Sequence, residues 1–333
     1  MGNEPEKPKN DDNKNKSSKP KKKSIIKKTE EIPNTFQLRL NLKLDTEYFS
    51  IHELSFNRIG ILSKLNLYIY SLKTFKQIDI IKMQLPKNLL FKLFDEEKHY
   101  EDDQKKDFLE LYNNDIVIWS RNLVLFYKFT NKGYEFYQNI KSNYLINSVN
   151  ELKNRNLVTC GSFGLNIYTK KKNKYNLLEE HPLEKEVICI IEKSQNSLIL
   201  IQNNNILTLY DIEDEEEKVK YDGYEYSRER PTFALKNNYF VFNFNQECII
   251  FDKKNLNLKK KIQGVNFVSD FFGDLILIED KKMNIIKICE YKDEKINFCQ
   301  VFPFNFENII KLSNGNLIGI ANNQIKVINC IKK

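Results

Sequence analysis

One phrase recurs along this chain and limits what it can fold into. A turn rich in Asn, Asp or Gly is followed by an apolar strand, a second turn, and a second apolar strand that often ends in Tyr or Phe. Seven copies are legible, beginning at Phe56, Asn113, Lys153, Ser194, Lys236, Phe272 and Ser313. The second strands of successive units start about 36 to 42 residues apart. That spacing leaves room for four short strands per unit and none for intervening helices. A fixed period of this length describes supersecondary units that cannot bury their apolar faces alone and must stack on their neighbours.

The expected fold is therefore all-β: a single seven-bladed β-propeller over residues 35–333. The seventh unit ends at Cys330–Lys333 with no residues left for a fourth strand. The segment Phe36–Leu44 alternates apolar and polar residues and supplies the missing strand, so both chain ends close the ring and no sheet edge stays open. Residues 82–107 interrupt the pattern between the first and second units. Their acidic second half and the apolar Leu89, Leu90, Leu93 and Phe94 read as a solvated insertion loop.

Charge is unevenly placed. Met1–Lys28 hold ten Lys and four acids, whereas the remaining residues carry 43 basic and 41 acidic side chains. Residues 1–34 are expected to be a disordered basic tail, since they lack apolar surface to offset ordering entropy. The balanced remainder excludes a domain-wide nucleic-acid footprint. The tail lysines Lys19, Lys21, Lys22, Lys23, Lys27 and Lys28 are the candidate contacts for RNA or an anionic membrane. No apolar run approaches the ~18 residues of a membrane-spanning helix, and no leader-like apolar stretch follows Met1. Six scattered Cys without a C-x-x-C pair read as reduced thiols, which places the protein inside the cell, in cytoplasm or nucleus.

Catalytic signals are sparse. His52, His99 and His181 lie far apart in sequence and no Cys-His ligand spacing occurs, so neither metal nor cofactor is expected. Gly161–Gly164 is not a nucleophile elbow, because no helix follows it. No small-molecule substrate is inferred. The strongest surface candidate is the segment after the fourth unit, with Tyr221, Tyr224, Tyr226, Arg228 and Arg230, because Tyr and Arg dominate interface hot spots. The competing reading has these tyrosines simply covering an outer strand.

The fourth unit resembles a WD repeat. His181 stands where the Gly-His pair would be, Val187 and Ile190 where the first strand would be, and Tyr210–Asp211 where Trp-Asp would be. Gly161, Ser162 and Gly164 resemble the turn between second and third strands, and Asn314–Gly315 the turn before a second strand. The chain departs from the pattern in holding one Trp, Trp119, with no Asp after it. The resemblance implies a non-enzymatic protein–protein interaction scaffold in a larger assembly. The alternatives are an RNA-associated or ribosome-assembly factor using the tail, and a peripheral membrane adaptor.

Overall fold

The computed structural model describes residues 35–43, 48–63, 66–83, 106–203, 206–222, 233–235, 239–244, 247–280, 282–292, 295–303, 308–321 and 324–331. The basic tail and most of the 82–107 insertion lie outside them. The described residues form 28 strands in seven four-stranded antiparallel sheets, with no α-helix.

The first strand, β1 (Thr35–Lys43), belongs to the last sheet. Blade 1 holds β2 (Tyr48–Leu54), β3 (Arg58–Ser63), β4 (Asn66–Ser71) and β5 (Gln77–Lys82). Blade 2 holds β6 (Lys106–Glu110), β7 (Ile116–Ser120), β8 (Leu123–Thr130) and β9 (Gly133–Lys141). Blade 3 holds β10 (Ile146–Glu151), β11 (Leu157–Gly161), β12 (Gly164–Lys171) and β13 (Lys174–Pro182). Blade 4 holds β14 (Val187–Ser194), β15 (Ser197–Gln202), β16 (Ile206–Asp211) and β17 (Glu216–Asp222). Blade 5 holds β18 (Phe233–Leu235), β19 (Tyr239–Phe244), β20 (Glu247–Asp252) and β21 (Leu258–Gln263). Blade 6 holds β22 (Val265–Asp270), β23 (Leu275–Asp280), β24 (Ile285–Lys292) and β25 (Lys295–Phe302). Blade 7 holds β26 (Asn308–Lys311), β27 (Leu317–Ala321), β28 (Gln324–Ile331) and, paired antiparallel to β28, β1.

The ring closes as the sequence pattern requires: Thr35 faces Ile331 and Lys43 faces Gln324 across the β1–β28 ladder. Seven apolar clusters, one at each junction between neighbouring blades, form the core. The junction between blades 7 and 1 packs Leu312, Ile318 and Ile320 against Ile51, Ile59 and Ile61. Each blade is thus covered on both faces. That explains why central strands such as Ile116–Ser120 and Ser197–Gln202 read as unbroken apolar runs rather than alternating ones. Each fully buried Leu or Ile contributes about 1.5–3 kcal/mol.

First strands of neighbouring blades touch one another, so they line the centre of the ring. In such a meander the 1–2 and 3–4 turns emerge on one face, called here the turn face. The 2–3 turns and the blade-to-blade links emerge on the other, the connection face. Lys106 and Asp107, at the end of the sequence insertion, are the first residues of β6.

Candidate functional site

The turn face is built from one repeated device. In blades 2, 3 and 7 the first strand ends beside a tight 1–2 turn. In blade 2 the Leu111 N–H donates to the Asp115 carbonyl (2.8 Å) and the Asn114 N–H to the Leu111 carbonyl (2.8 Å). Blade 3 repeats this with Leu152, Arg155 and Asn156, and blade 7 with Leu312, Gly315 and Asn316. The third residue after each of these leucines is left-handed: Asn114 (φ 66°), Arg155 (φ 69°) and Gly315 (φ 83°). Asn and Gly occupy that conformation readily, which is why the turns are legible in sequence.

Carboxylates then tie four of the 1–2 turns to the next blade. Glu110 accepts the Ser55 N–H, Glu151 the Tyr112 N–H (2.6 Å) and Glu192 the Lys153 N–H (3.0 Å). Across the ring closure, Glu53 accepts both the Ser313 N–H and its hydroxyl, each at 2.6 Å. Between blades 6 and 7 the polarity reverses: Lys311 Nζ donates to the Phe271 carbonyl (2.8 Å). Burial raises the Glu151 pKa, against the lowering pull of the Tyr112 N–H and Arg155. The signal for these latches was present in the sequence, since the Tyr112–Glu151 and Lys153–Glu192 partners are both 39 residues apart. Turn residues and apolar runs do not reveal it, because the carboxylates sit at strand ends where charged residues are common.

Inside this rim lies a cavity of about 520 Å³ lined by His52, Glu53, Ser55, Phe56, Leu109, Glu110 and Ser313, among others. His52 Nε2 lies 2.6 Å from Asp107 Oδ1, joining the innermost strands of blades 1 and 2, and the imidazole edge-packs on Phe108. A half-exposed imidazole oriented by a carboxylate has the geometry to hold or pass a proton. Below Phe56, the buried Arg58 guanidinium donates to Glu110 (2.8 Å) and to the Ser55 carbonyl (2.8 Å). It also lies 5.2–5.8 Å from the ring centroids of Phe56, Phe129 and Tyr134.

On the connection face, blade 3 presents two large apolar side chains, Leu145 (57% exposed) and Phe163 (69%). Their backbone is fixed. The Ser162 N–H donates to the Leu145 carbonyl and the Leu183 N–H to the Phe163 carbonyl, both at 3.2 Å. A Cβ on Gly161 would lie 1.7 Å from the Leu145 oxygen, so only glycine fits.

Among the sequence-predicted contacts, Tyr221 lies in the outer strand β17 of blade 4. Its ring edge-packs on Phe251 of blade 5, and Lys261 Nζ sits 4.4 Å above it. Tyr224, Tyr226, Arg228 and Arg230 lie outside the described residues, as do Lys19, Lys21, Lys22, Lys23, Lys27 and Lys28. The His181–Tyr210 pair picked out by the repeat resemblance does meet: Tyr210 Oη is 2.9 Å from His181 Nδ1. Burial pushes the Tyr210 hydroxyl up to about 12. The six cysteines are free thiols, and burial pushes Cys248 up to about 12 and Cys289 to about 11. Among the described residues no His, Cys, Asp or Glu side chains group as metal ligands, and no helix is long and apolar enough to cross a membrane.

No protein-family model and no curated protein matches this sequence. Solved structures do share its fold. A streptogramin B lyase superimposes with a TM-score of 0.61 at 12% identity, covering 89% of this chain and 98% of that one. A catalytically inactive virginiamycin B lyase from Staphylococcus aureus, solved with quinupristin, gives 0.60 at 13%, covering 89% and 100%. A chain of the mitotic checkpoint complex gives 0.63 at 10%, covering 90% and 95%. At these identities the likeness is one of fold, and it extends both to lyases and to a chain of a multi-protein complex.

Proposed function

We propose that this chain is a non-enzymatic protein–protein interaction scaffold of WD-repeat type, working within a larger assembly and without a cofactor. The observation that carries the reading is the rigid apolar pair Leu145–Phe163. Two large side chains are held exposed on hydrogen-bonded backbone, and such apolar exposure on an ordered surface marks a docking position. The strand β17 ends on this same connection face at Asp222, just before the Tyr224–Arg230 segment, and the proposal keeps that segment as a second contact. Two further facts support the reading: the His181–Tyr210 hydrogen bond, and the similarity in fold to a chain of the mitotic checkpoint complex.

The test is cross-linked affinity capture with the full chain, a Leu145→Ala/Phe163→Ala variant and a Tyr224→Ala/Tyr226→Ala/Arg228→Ala variant. Loss of a defined protein set with either surface variant, at unchanged melting temperature, is the expected result. Hot-spot truncation costs at least ~2 kcal/mol, about thirty-fold in affinity. Capture that is identical for all three chains sinks the proposal. The scaffold reading also expects His52→Ala to leave capture unchanged.

A further inference from the structure

The folded strands carry nearly balanced charge, yet the turn face does not. Its outer turns on three consecutive blades are lysine-rich: Lys73 and Lys76 on blade 1, Lys128 and Lys132 on blade 2, Lys171 and Lys172 on blade 3, all exposed. Most carboxylates of the same sector are committed elsewhere; the exception is the exposed Glu135, which faces Lys128 across the β8–β9 ladder. Glu53, Glu110 and Glu151 hold turn N–H groups, and Asp115 is buried, accepting from Asn113 (2.7 Å), from the Phe129 N–H (3.1 Å) and from Lys170 (3.4 Å). On blade 4 the sign flips abruptly, with Glu213–Glu217 all exposed. The basic arc is thus a matter of arrangement, beyond lysine abundance.

Exposed aromatic rings interleave with these lysines. Phe56 is 67% exposed, Tyr112 62% and Phe129 39%. Phe56 and Phe129 stack across the blade 1–2 boundary at 6.4 Å and 26°. The exposed Arg155 guanidinium lies 3.6 Å over the Tyr112 ring. Cations beside solvent-exposed rings match single-stranded nucleic acid, whose phosphates follow the lysines while unpaired bases stack on the rings. A duplex, with its bases already stacked, would leave the rings unused.

We infer that the turn face of blades 1–3 binds single-stranded nucleic acid, with the arc lysines on phosphates and Phe56, Phe129 and Tyr112 as base-stacking positions. This goes beyond the scaffold reading and uses the opposite face, so either can fail alone.

The experiment is fluorescence anisotropy of the full chain with labelled mixed-sequence RNA and DNA strands of about 16 nucleotides, the upper site size of comparable grooves, across a salt series. Two variants are compared with the parent: Lys128→Glu/Lys132→Glu/Lys172→Glu and Tyr112→Ala. The basic tail is present in all three, so it cancels. The triple variant is expected to flatten the slope of log affinity against log salt by about 2, from roughly 0.7 per phosphate contact. Tyr112→Ala is expected to weaken binding about 5- to 100-fold with the slope kept. Equal RNA and DNA affinity assigns recognition to the shared backbone and bases, and a preference for RNA assigns it to the 2′-hydroxyl; either supports the inference. Parent-like binding by both folded variants overturns it. So does a surface on which Tyr112→Ala has no effect and anionic vesicles or polyglutamate compete as well as nucleic acid does.

Discussion

Removing the Glu110 carboxylate is the sharpest test of how the blades are held together. Glu110 and Arg58 join blades 2 and 1 by a 2.8 Å ion pair whose side chains are only 8% and 9% exposed. Glu110 also accepts the Ser55 N–H. Glu110→Ala therefore strands a buried guanidinium and frees a turn N–H. Breaking a buried pair by removing one partner costs about 3–5 kcal/mol. With about 2.1 cal/mol/K of unfolding entropy per residue over roughly 300 folded residues, that is a fall of about 5–8 °C in melting temperature. Replacing both partners, as Arg58→Met/Glu110→Leu, removes the uncompensated charge, and such swaps are often close to neutral. The double-mutant cycle, read by calorimetry, should give a coupling of several kcal/mol, with the double variant more stable than Glu110→Ala. If Glu110→Ala costs less than about 1 kcal/mol, or the two changes simply add, the latch does not stabilise the junction as argued.

Further outcomes follow from the same geometry. Burial pushes Tyr127 and Tyr134, like Tyr210, up to about 12, above the ordinary tyrosine value of about 10; raised native pKa values mean full stability below pH ~10 and loss as pH climbs towards 12, so tyrosinate absorbance and unfolding should rise together. Gly161→Ala drives a Cβ into the Leu145 carbonyl and should lower stability by more than ~2 kcal/mol, read as a drop in denaturation midpoint. Deleting residues 1–43 uncovers the β28 edge, and light scattering should report self-association that the full chain lacks. Lys311→Ala loses the bond to Phe271 and should cost about 1–2 kcal/mol. Lys311→Glu should recover part of that by accepting from the turn as Glu151 does, and equal melting temperatures for the two would refute the shared latch geometry.

The blade count and closing strand were legible because a propeller writes its architecture locally. Runs such as Leu198–Ile201 are apolar on both faces since a blade lies on each side, and turns such as Asn314–Gly315 announce themselves by the left-handed conformation they need. The site was less legible for the opposite reason. His52 finds Asp107 55 residues away, Arg58 finds Glu110 52 away, and Glu53 finds Ser313 260 away. No local pattern marks such partners; only the closed ring brings them together. Tyr221 was legible in part: its residue type marks an interface candidate, and its packing on Phe251 and Lys261 of the neighbouring blade shows only in the closed ring.

The degenerate repeats are therefore no weakness of the ring. A regular repeat protein can hold each blade with one hydrogen-bond set repeated in every unit. Here the residues for such a set are missing from most units, and the junctions carry the specificity instead. Blades 7 and 1 use Glu53 on Ser313, blades 2 and 3 add Gln138 paired twice with the Tyr175 backbone, and blades 3 and 4 add Asn147 on the Val187 carbonyl and His181 on Tyr210. Blades 5 and 6 use the Asn243 amide, which donates to the Phe267 carbonyl at 2.5 Å and accepts its N–H. The carboxylate latch recurs at four junctions, but the bonds added to it, Gln138 on Tyr175 and Asn147 on Val187, and the Asn243–Phe267 pair between blades 5 and 6 differ from one another, so moving one blade's sequence into another's place would break unmatched interfaces.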